Sequence, residues 1–133
     1  MPASDASPEP LWTQEDLTNP HAVADKARRV ERMFAAIAPC YDLNNRLHSL
    51  GRDRAWRRAA VRLAQPRPKD VVLDVACGTG DLAMAFGQAG VKRVVGVDFT
   101  FDMLRIAQAK RGKAAPAKRA ALCYQAGDAM RLP

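Results

Sequence analysis

The run Val71-Val72-Leu73-Asp74-Val75-Ala76-Cys77-Gly78-Thr79-Gly80-Asp81 carries the most chemically suggestive pattern in this chain. Its apolar part, Val71 to Ala76, reads as a buried parallel strand. It breaks into a loop of small residues, Cys77 to Gly80, and a helix starts near Asp81. A strand that runs into glycines and then a helix brings backbone N–H groups against a nucleotide-like ligand. Gly78 and Gly80 permit the tight turn and leave no Cβ in a ligand's way. The loop lacks the GxGxxG spacing, and no GK[ST] follows it, so neither the dinucleotide fingerprint nor a phosphate loop is present. Taken alone, it also fits an ordinary strand–turn–helix of any α/β domain.

A second strand, Val94-Val95-Gly96-Val97, ends in Asp98, 24 positions after Asp74. In dinucleotide-binding folds an acid about 20 residues beyond the glycine loop binds a ribose hydroxyl. A carboxylate suits that task because it accepts two hydrogen bonds from a diol. Asp98 also fits the N-cap of the helix opening at Phe101-Asp102-Met103-Leu104, and both roles can hold together. Loop and acid in combination favour a nucleoside site. Cys77 sits in the same loop, where a reactive thiol is conceivable but a small packing residue is the commoner outcome.

These residues need elements to position them. Residues 1–20 are rich in Pro, Ser, Ala and acids and read as a disordered acidic tail with Trp12 as its one anchor. Residues 21–66 read as an N-terminal helical segment. One helix runs from about His21, with Val23, Val30, Phe34 and Ile37 on a shared face, and ends at Pro39. A short helical or looped stretch, Tyr41 to Gly51, follows. Asp53 to Ala64 then forms a helix, with Trp56, Ala59, Ala60 and Leu63 expected inward and Pro66 and Pro68 as stops.

Residues 67–133 hold the sheet: strand 1, a helix over Leu82–Ala89 capped by Gly90, and strand 2 over Arg93–Asp98. A further helix runs to about Arg111 and closes at Gly112. A basic connector, Lys113–Ala120, leads to strand 3 over Ala121–Ala126. The fold class is therefore α/β, one βαβαβ half of a doubly wound sheet preceded by two helices. Strand 1 is central in a complete doubly wound sheet but would be a long apolar edge here, which points to a fragment of a larger protein.

Composition narrows the class. With 48% hydrophobic and 26% charged residues, the chain has the make-up of a folded globular domain. No apolar run is long enough for a membrane span, and no signal-peptide pattern opens the chain, so a cytoplasmic protein is expected. Cys40, Cys77 and Cys123 are far apart and offer no zinc spacing, so they read as free thiols, and no metal site is expected. Charge is uneven. Residues 1–25 hold five acids and no Lys or Arg, leaving 21 basic against nine acidic residues, a net +12, on residues 26–133. Such a body suits RNA or an anionic membrane surface, although a solvated basic surface without a dedicated partner is the commonest case.

The loop Asp74–Asp81 with Asp98 resembles motif I and its following acid in the Rossmann-like S-adenosylmethionine-dependent methyltransferases. From about Arg32 to Pro133 the chain resembles one branch of these, the ubiquinone/menaquinone biosynthesis C-methyltransferases. Met33-Phe34, Ile37-Ala38, Tyr41-Asp42, Asn45, Ser49-Leu50-Gly51 and Trp56-Arg57 look like that family's N-terminal signature. Gly127-Asp128-Ala129 with Leu132-Pro133 looks like its third cofactor motif.

The resemblance implies methyl transfer from S-adenosyl-L-methionine to a ring carbon of a polyprenyl quinol, either demethylmenaquinol or a 2-methoxy-6-polyprenyl-1,4-benzoquinol. It implies cofactor contacts from Gly78, Thr79 and Gly80, ribose contacts from Asp98, and adenine contacts from Asp128 and Ala129. Asp128 would equally be a turn residue after strand 3. The sulfonium is a good leaving group, so the chemistry requires no metal. Three residues are candidates for the proton acceptor: Tyr41, Asp42 and His48. Tyr41 would pack on the cofactor as a lid. His48 has a suitable ordinary pKa of about 6.5, yet a histidine on a helix face is more often structural.

The expected partners are the quinol and, as a hypothesis, an anionic membrane touched peripherally at its inner face; no nucleic acid is expected. Two alternatives stay open: an RNA or other small-molecule methyltransferase, and a non-catalytic nucleoside-binding fragment that needs a partner.

Overall fold

Valines build two strands, β1 (Val71–Val75) and β2 (Arg93–Asp98), and a third, β3 (Leu122–Ala126), forms without a β-branched residue. In the computed structural model, which describes residues 12–19, 24–116 and 121–132, they form one parallel sheet in the order β1-β2-β3. The register pairs Asp74 with Gly96 and Gly96 with Tyr124. Parallel neighbours require crossovers. These are α5 (Asp81–Gln88), between β1 and β2, and α6 (Phe101–Gly112), between β2 and β3.

Upstream lie α1 (Gln14–Thr18), α2 (Lys26–Ile37), a 3₁₀ turn over Ala38–Cys40, α3 (Tyr41–His48) and α4 (Asp53–Ala64). Pro39 lies in the first turn of the 3₁₀ segment, where its missing N–H does no harm, and α2 stops just before it. The turn from α3 to α4 passes through left-handed backbone at Leu50 and Gly51, and α4 ends on left-handed Gln65.

The core forms where α5 meets the sheet. Ala83, Val91, Val94 and Leu122 are buried there, with Val72, Met84, Phe86 and Tyr124 packed against them. Small residues on α5 allow the close approach: a Cβ on Gly87 would stand 3.2 Å from Leu122 Cδ2. Burying one such valine or leucine stabilises the fold by roughly 1.5–3 kcal/mol. β2 is the sheet's centre, and its residues Val94 to Asp98 are buried or half-buried.

Three sequence expectations are corrected. The tail read as disordered contains α1, whose Thr13 and Asp16 satisfy each other's backbone N–H groups in a reciprocal cap. Arg29 of α2 grips Asp16 at 2.6 Å and stacks on Trp12 at 5.9 Å, tying this turn down. The rest of the proposed tail, and the start of the first helix at His21 and Val23, lie outside the described residues.

The second correction concerns α4. Trp56 and Leu63 point outward, 61% and 85% exposed, because Asp53, Arg57 and Val61 form the inward stripe. Arg57 binds Asp53 at 2.5 Å and reaches Asp81 on α5 at 3.3 Å, so ion pairs orient this helix. Third, β1 is the edge strand that the half-sheet implied and not the buried strand that its apolar run suggested. It forms one edge of the sheet, and Val71, Leu73 and Val75 are exposed on a single face while Val72 and Asp74 turn toward the core side.

Candidate functional site

The loop between β1 and α5 is built from backbone that most residues avoid. Ala76, Gly78 and Gly80 all have φ between +54° and +80°. The glycines adopt this conformation freely, whereas Ala76 stores about 1–2 kcal/mol of strain at the mouth of the site. The two glycines have different jobs. A Cβ on Gly78 would meet nothing closer than Tyr41 Cε1 at 4.0 Å, so Gly78 opens onto space. A Cβ on Gly80 would lie 2.5 Å from Tyr124 Oη, so Gly80 exists to let the loop press on β3. Tyr124 also donates to the Gly80 carbonyl at 3.4 Å.

Beside the loop lies a cavity of about 330 Å³ with mostly apolar walls. Ala76 and Gly78 form one side, Val97 to Thr100 the floor, Gly127 and Ala129 the far end, and Val30, Phe34 and Tyr41 a cover. Phe34 and Tyr41 meet edge to face at 6.3 Å. Asp98 supplies the charge. Its carboxylate is buried and accepts one backbone N–H on each oxygen, from Gly78 at 2.7 Å and from Thr100 at 2.8 Å. A carboxylate offers about four acceptor positions, so each oxygen keeps one for a ligand. Asp98 is not the N-cap of α6; Thr100 occupies that position, and Asp98 tightens the turn before it.

Asp74 lies beneath the loop. Burial pushes its carboxyl above the usual range; the Ala83 backbone N–H at the start of α5 opposes this, and the Asp98 charge adds to it. Among the described residues, Asp74 Oδ2 is a buried oxygen without a hydrogen-bond partner. Cys77 is buried too, and desolvation, reinforced by the charges of Asp74 and Asp98, raises its thiol to about 12. At that value it stays protonated at neutral pH and serves as a packing residue. Cys77 Sγ lies against Gly96, where a Cβ would come within 2.9 Å of it.

The structure divides the predicted site residues. Gly78, Asp98, Ala129 and Tyr41 line the cavity together. Thr79 does not: its buried hydroxyl donates to Asp42 at 2.5 Å and accepts from Lys110 at 3.0 Å. Gly80 faces Tyr124 instead. Asp128 caps the 3₁₀ turn Ala129–Arg131 by accepting from Met130 N–H at 2.9 Å, the turn role that its Gly-Asp context allowed. Asp42 is engaged by Thr79 and Lys110, and His48 is exposed at the last turn of α3, away from the cavity walls.

Sequence reasoning missed Lys110, Thr100 and Tyr124. None lies in a motif, and each joins the site through a contact across 20 or more residues or through backbone alone.

A family model described as the ubiE/COQ5 methyltransferase family matches residues 22–133. The demethylmenaquinone methyltransferase of Deinococcus radiodurans is 47% identical over 110 residues, covering 82% of this chain and 44% of that protein. The ubiquinone/menaquinone biosynthesis C-methyltransferase UbiE of Citrifermentans bemidjiense is 46% identical over 93 residues, covering 68% and 39% respectively. The chain thus spans less than half the length of these curated relatives. Among solved structures, the DhpI–SAH complex superposes with a TM-score of 0.54 at 21% identity, covering 73% of this chain and 42% of that one. That likeness is one of fold: a partial Rossmann-like α/β sheet.

Proposed function

The chain belongs to the ubiE/COQ5 methyltransferase family, and from that premise we propose that its cavity holds S-adenosyl-L-methionine for C-methylation of a polyprenyl quinol. Demethylmenaquinol and a 2-methoxy-6-polyprenyl-1,4-benzoquinol are the two substrates of the right chemistry. The observation that carries this reading is Asp98: a buried carboxylate, held by two backbone N–H groups, with acceptor capacity to spare on each oxygen. A ribose diol is the complement of that pair.

The residues present fit the cofactor. Gly78 leaves space where a side chain would intrude, and the apolar walls suit an adenine ring. When bound, S-adenosyl-L-methionine supplies an electrophilic methyl group on a sulfonium. The chain's own task is to hold and orient. Asp98 fixes the ribose, Ala129 and Phe99 flank the base, and Phe34 and Tyr41 exclude water from above. A quinol must lose its hydroxyl proton for electron density to reach the ring carbon. Of Tyr41, Asp42 and His48, Tyr41 is the one that lines the cavity and can touch the substrate.

The proposed location is the cytoplasm, with peripheral contact at an anionic membrane where the prenyl tail resides. Among the described residues no helix is long and apolar enough to cross a membrane. Support for surface contact comes from a groove of about 290 Å³ lined by Arg46, Arg54, Arg57 and Arg58. Its one carboxylate, Asp81, is already taken by Arg57 and Lys110. Exposed Leu47, Leu50, Trp56 and Leu63 accompany these arginines on α3, α4 and the turn between them.

The test is titration of the purified protein with S-adenosyl-L-methionine, followed by labelled methyl transfer to demethylmenaquinol. Losing hydrogen bonds to a charged group costs about 1.5–3 kcal/mol, so Asp98→Ala should weaken cofactor binding roughly 10- to 150-fold. Cofactor affinity unchanged in Asp98→Ala would sink the assignment of the site. Label entering RNA rather than lipid extract would replace the substrate.

A further inference from the structure

We propose that Lys110 is a positioning residue that locks helix α3 onto the glycine loop and so holds Tyr41 over Gly78. Lys110 lies in the last turn of α6, outside every motif, and its side chain is largely buried at 23% exposure. Its ammonium has three hydrogens and meets three acceptors. It ion-pairs with Asp42 of α3, reaches Asp81 at the start of α5 at 2.6 Å, and donates to the Thr79 hydroxyl at 3.0 Å. Thr79 in turn donates to Asp42 at 2.5 Å, closing a ring of Lys110, Asp42 and Thr79 to which Asp81 is tied through the ammonium. Arg57 of α4 joins through Asp81 at 3.3 Å and Asp53 at 2.5 Å.

The lock matters because α3 has little else to hold it. It buries no residue fully, and Leu43 and Leu47 on it are 56% and 63% exposed. The polar ring at Asp42, together with the contact of Tyr41 on Phe34, sets where the first turn of α3 sits. Tyr41 precedes Asp42, its ring edge stands 4.0 Å from the place a Cβ on Gly78 would occupy, and Phe34 braces its other side. Removing the ammonium takes away the cation that Asp42 and Asp81 share and, among the described residues, leaves Arg57 on Asp81 and the Thr79 hydroxyl on Asp42, so the uncompensated like charges would push α3 off the loop. An isolated surface ion pair contributes little. Here one partly buried cation neutralises two carboxylates at once, which makes its loss costly.

This inference rests on the cofactor reading above, and the test separates the two. The full protein is compared as parent, Lys110→Met, Asp42→Asn and the double variant. Two readouts are followed: S-adenosyl-L-methionine affinity, and amide exchange of residues 41–48 without ligand. Lys110→Met should weaken binding about tenfold and raise the cofactor KM by a like factor; a coupling of that size is ordinary for groups in one network. Exchange in α3 should quicken about fivefold or more, as a local opening.

Asp42→Asn removes the repulsion that Lys110→Met exposes, so the double variant should be no worse than Lys110→Met alone. Full additivity, or α3 exchange at the parental rate in Lys110→Met, overturns the proposal. If the parent binds no cofactor, the earlier reading fails, and α3 exchange still decides this one. If Lys110→Met does not fold, faster α3 exchange in Asp42→Asn supports the lock and a parental rate refutes it.

Discussion

Two acidic residues, Asp74 and Asp98, lie near enough for their charges to interact, yet only Asp98 lines the cavity and their surroundings assign them opposite work. Asp98 has two backbone donors and lines the cavity, so its charge is supported. Asp74 lies under the loop with one oxygen unpartnered among the described residues, and burial raises its carboxyl above the ordinary value of 3.8. A group whose pKa is raised on folding binds its proton more tightly when folded. Its ionised form therefore destabilises the fold progressively as pH climbs through the raised value. Asp74→Asn removes that charge and can keep the acceptor for Ala83. The variant should melt higher than the parent at pH 7, and the gain should vanish by about pH 3, where Asp74 is protonated in both states. Melting curves at the two pH values check this, and a gain that persists in acid would mean the charge was never the cost.

At the scale of elements, tightness of approach decides what the glycines do. Gly80 and Gly90 share left-handed backbone, with φ of +80° and +88°. A Cβ on Gly90 would meet nothing within 4 Å, while one on Gly80 would collide with Tyr124 Oη at 2.5 Å and Ala107 Cβ at 3.0 Å. Gly90→Ala should cost about 1–2 kcal/mol for the backbone alone. Gly80→Ala adds overpacking, for a total of roughly 2–5 kcal/mol. Urea unfolding of the two variants measures the difference, and equal losses would show that the loop does not press on β3 as described. The same scale explains why α4 was misread. Its sequence carries both an apolar stripe, Trp56-Ala60-Leu63, and a charged one, Asp53-Arg57. Periodicity finds stripes but does not say which one meets a neighbour. Asp81 on α5 settles it by drawing Arg57 inward.

For the whole molecule, charge is the property with the longest reach. The chain carries +7 overall, and Arg46 of α3 converges with Arg54, Arg57 and Arg58 of α4 on one groove. Each arginine near an anionic surface contributes about 1 kcal/mol. Arg54→Ala with Arg58→Ala should therefore lower partition onto phosphatidylglycerol vesicles by roughly tenfold or more at low salt. Added salt should weaken parental binding in the same way, since exposed charges are screened. Equal flotation of the parent with neutral phosphatidylcholine vesicles, or salt-insensitive binding, would leave the groove without this role.

Local chemistry was enough to read much of this protein from its residues in order. The bounds of β2, the glycine loop and the termination of α2 before Pro39 all follow from branching, φ preference and spacing within a few residues. Those forces act between neighbours in the chain, so the order of residues expresses them directly. The tertiary structure alone decided which groups share a site. Lys110 meets Asp42, Thr79 and Asp81 only after α3, α5 and α6 are packed. Thr79 turned from the cavity into that ring, His48 was left on the surface, and Tyr124 claimed the space beside Gly80. Electrostatic and steric contacts between distant segments depend on how whole elements pack, and no short window of sequence contains that information.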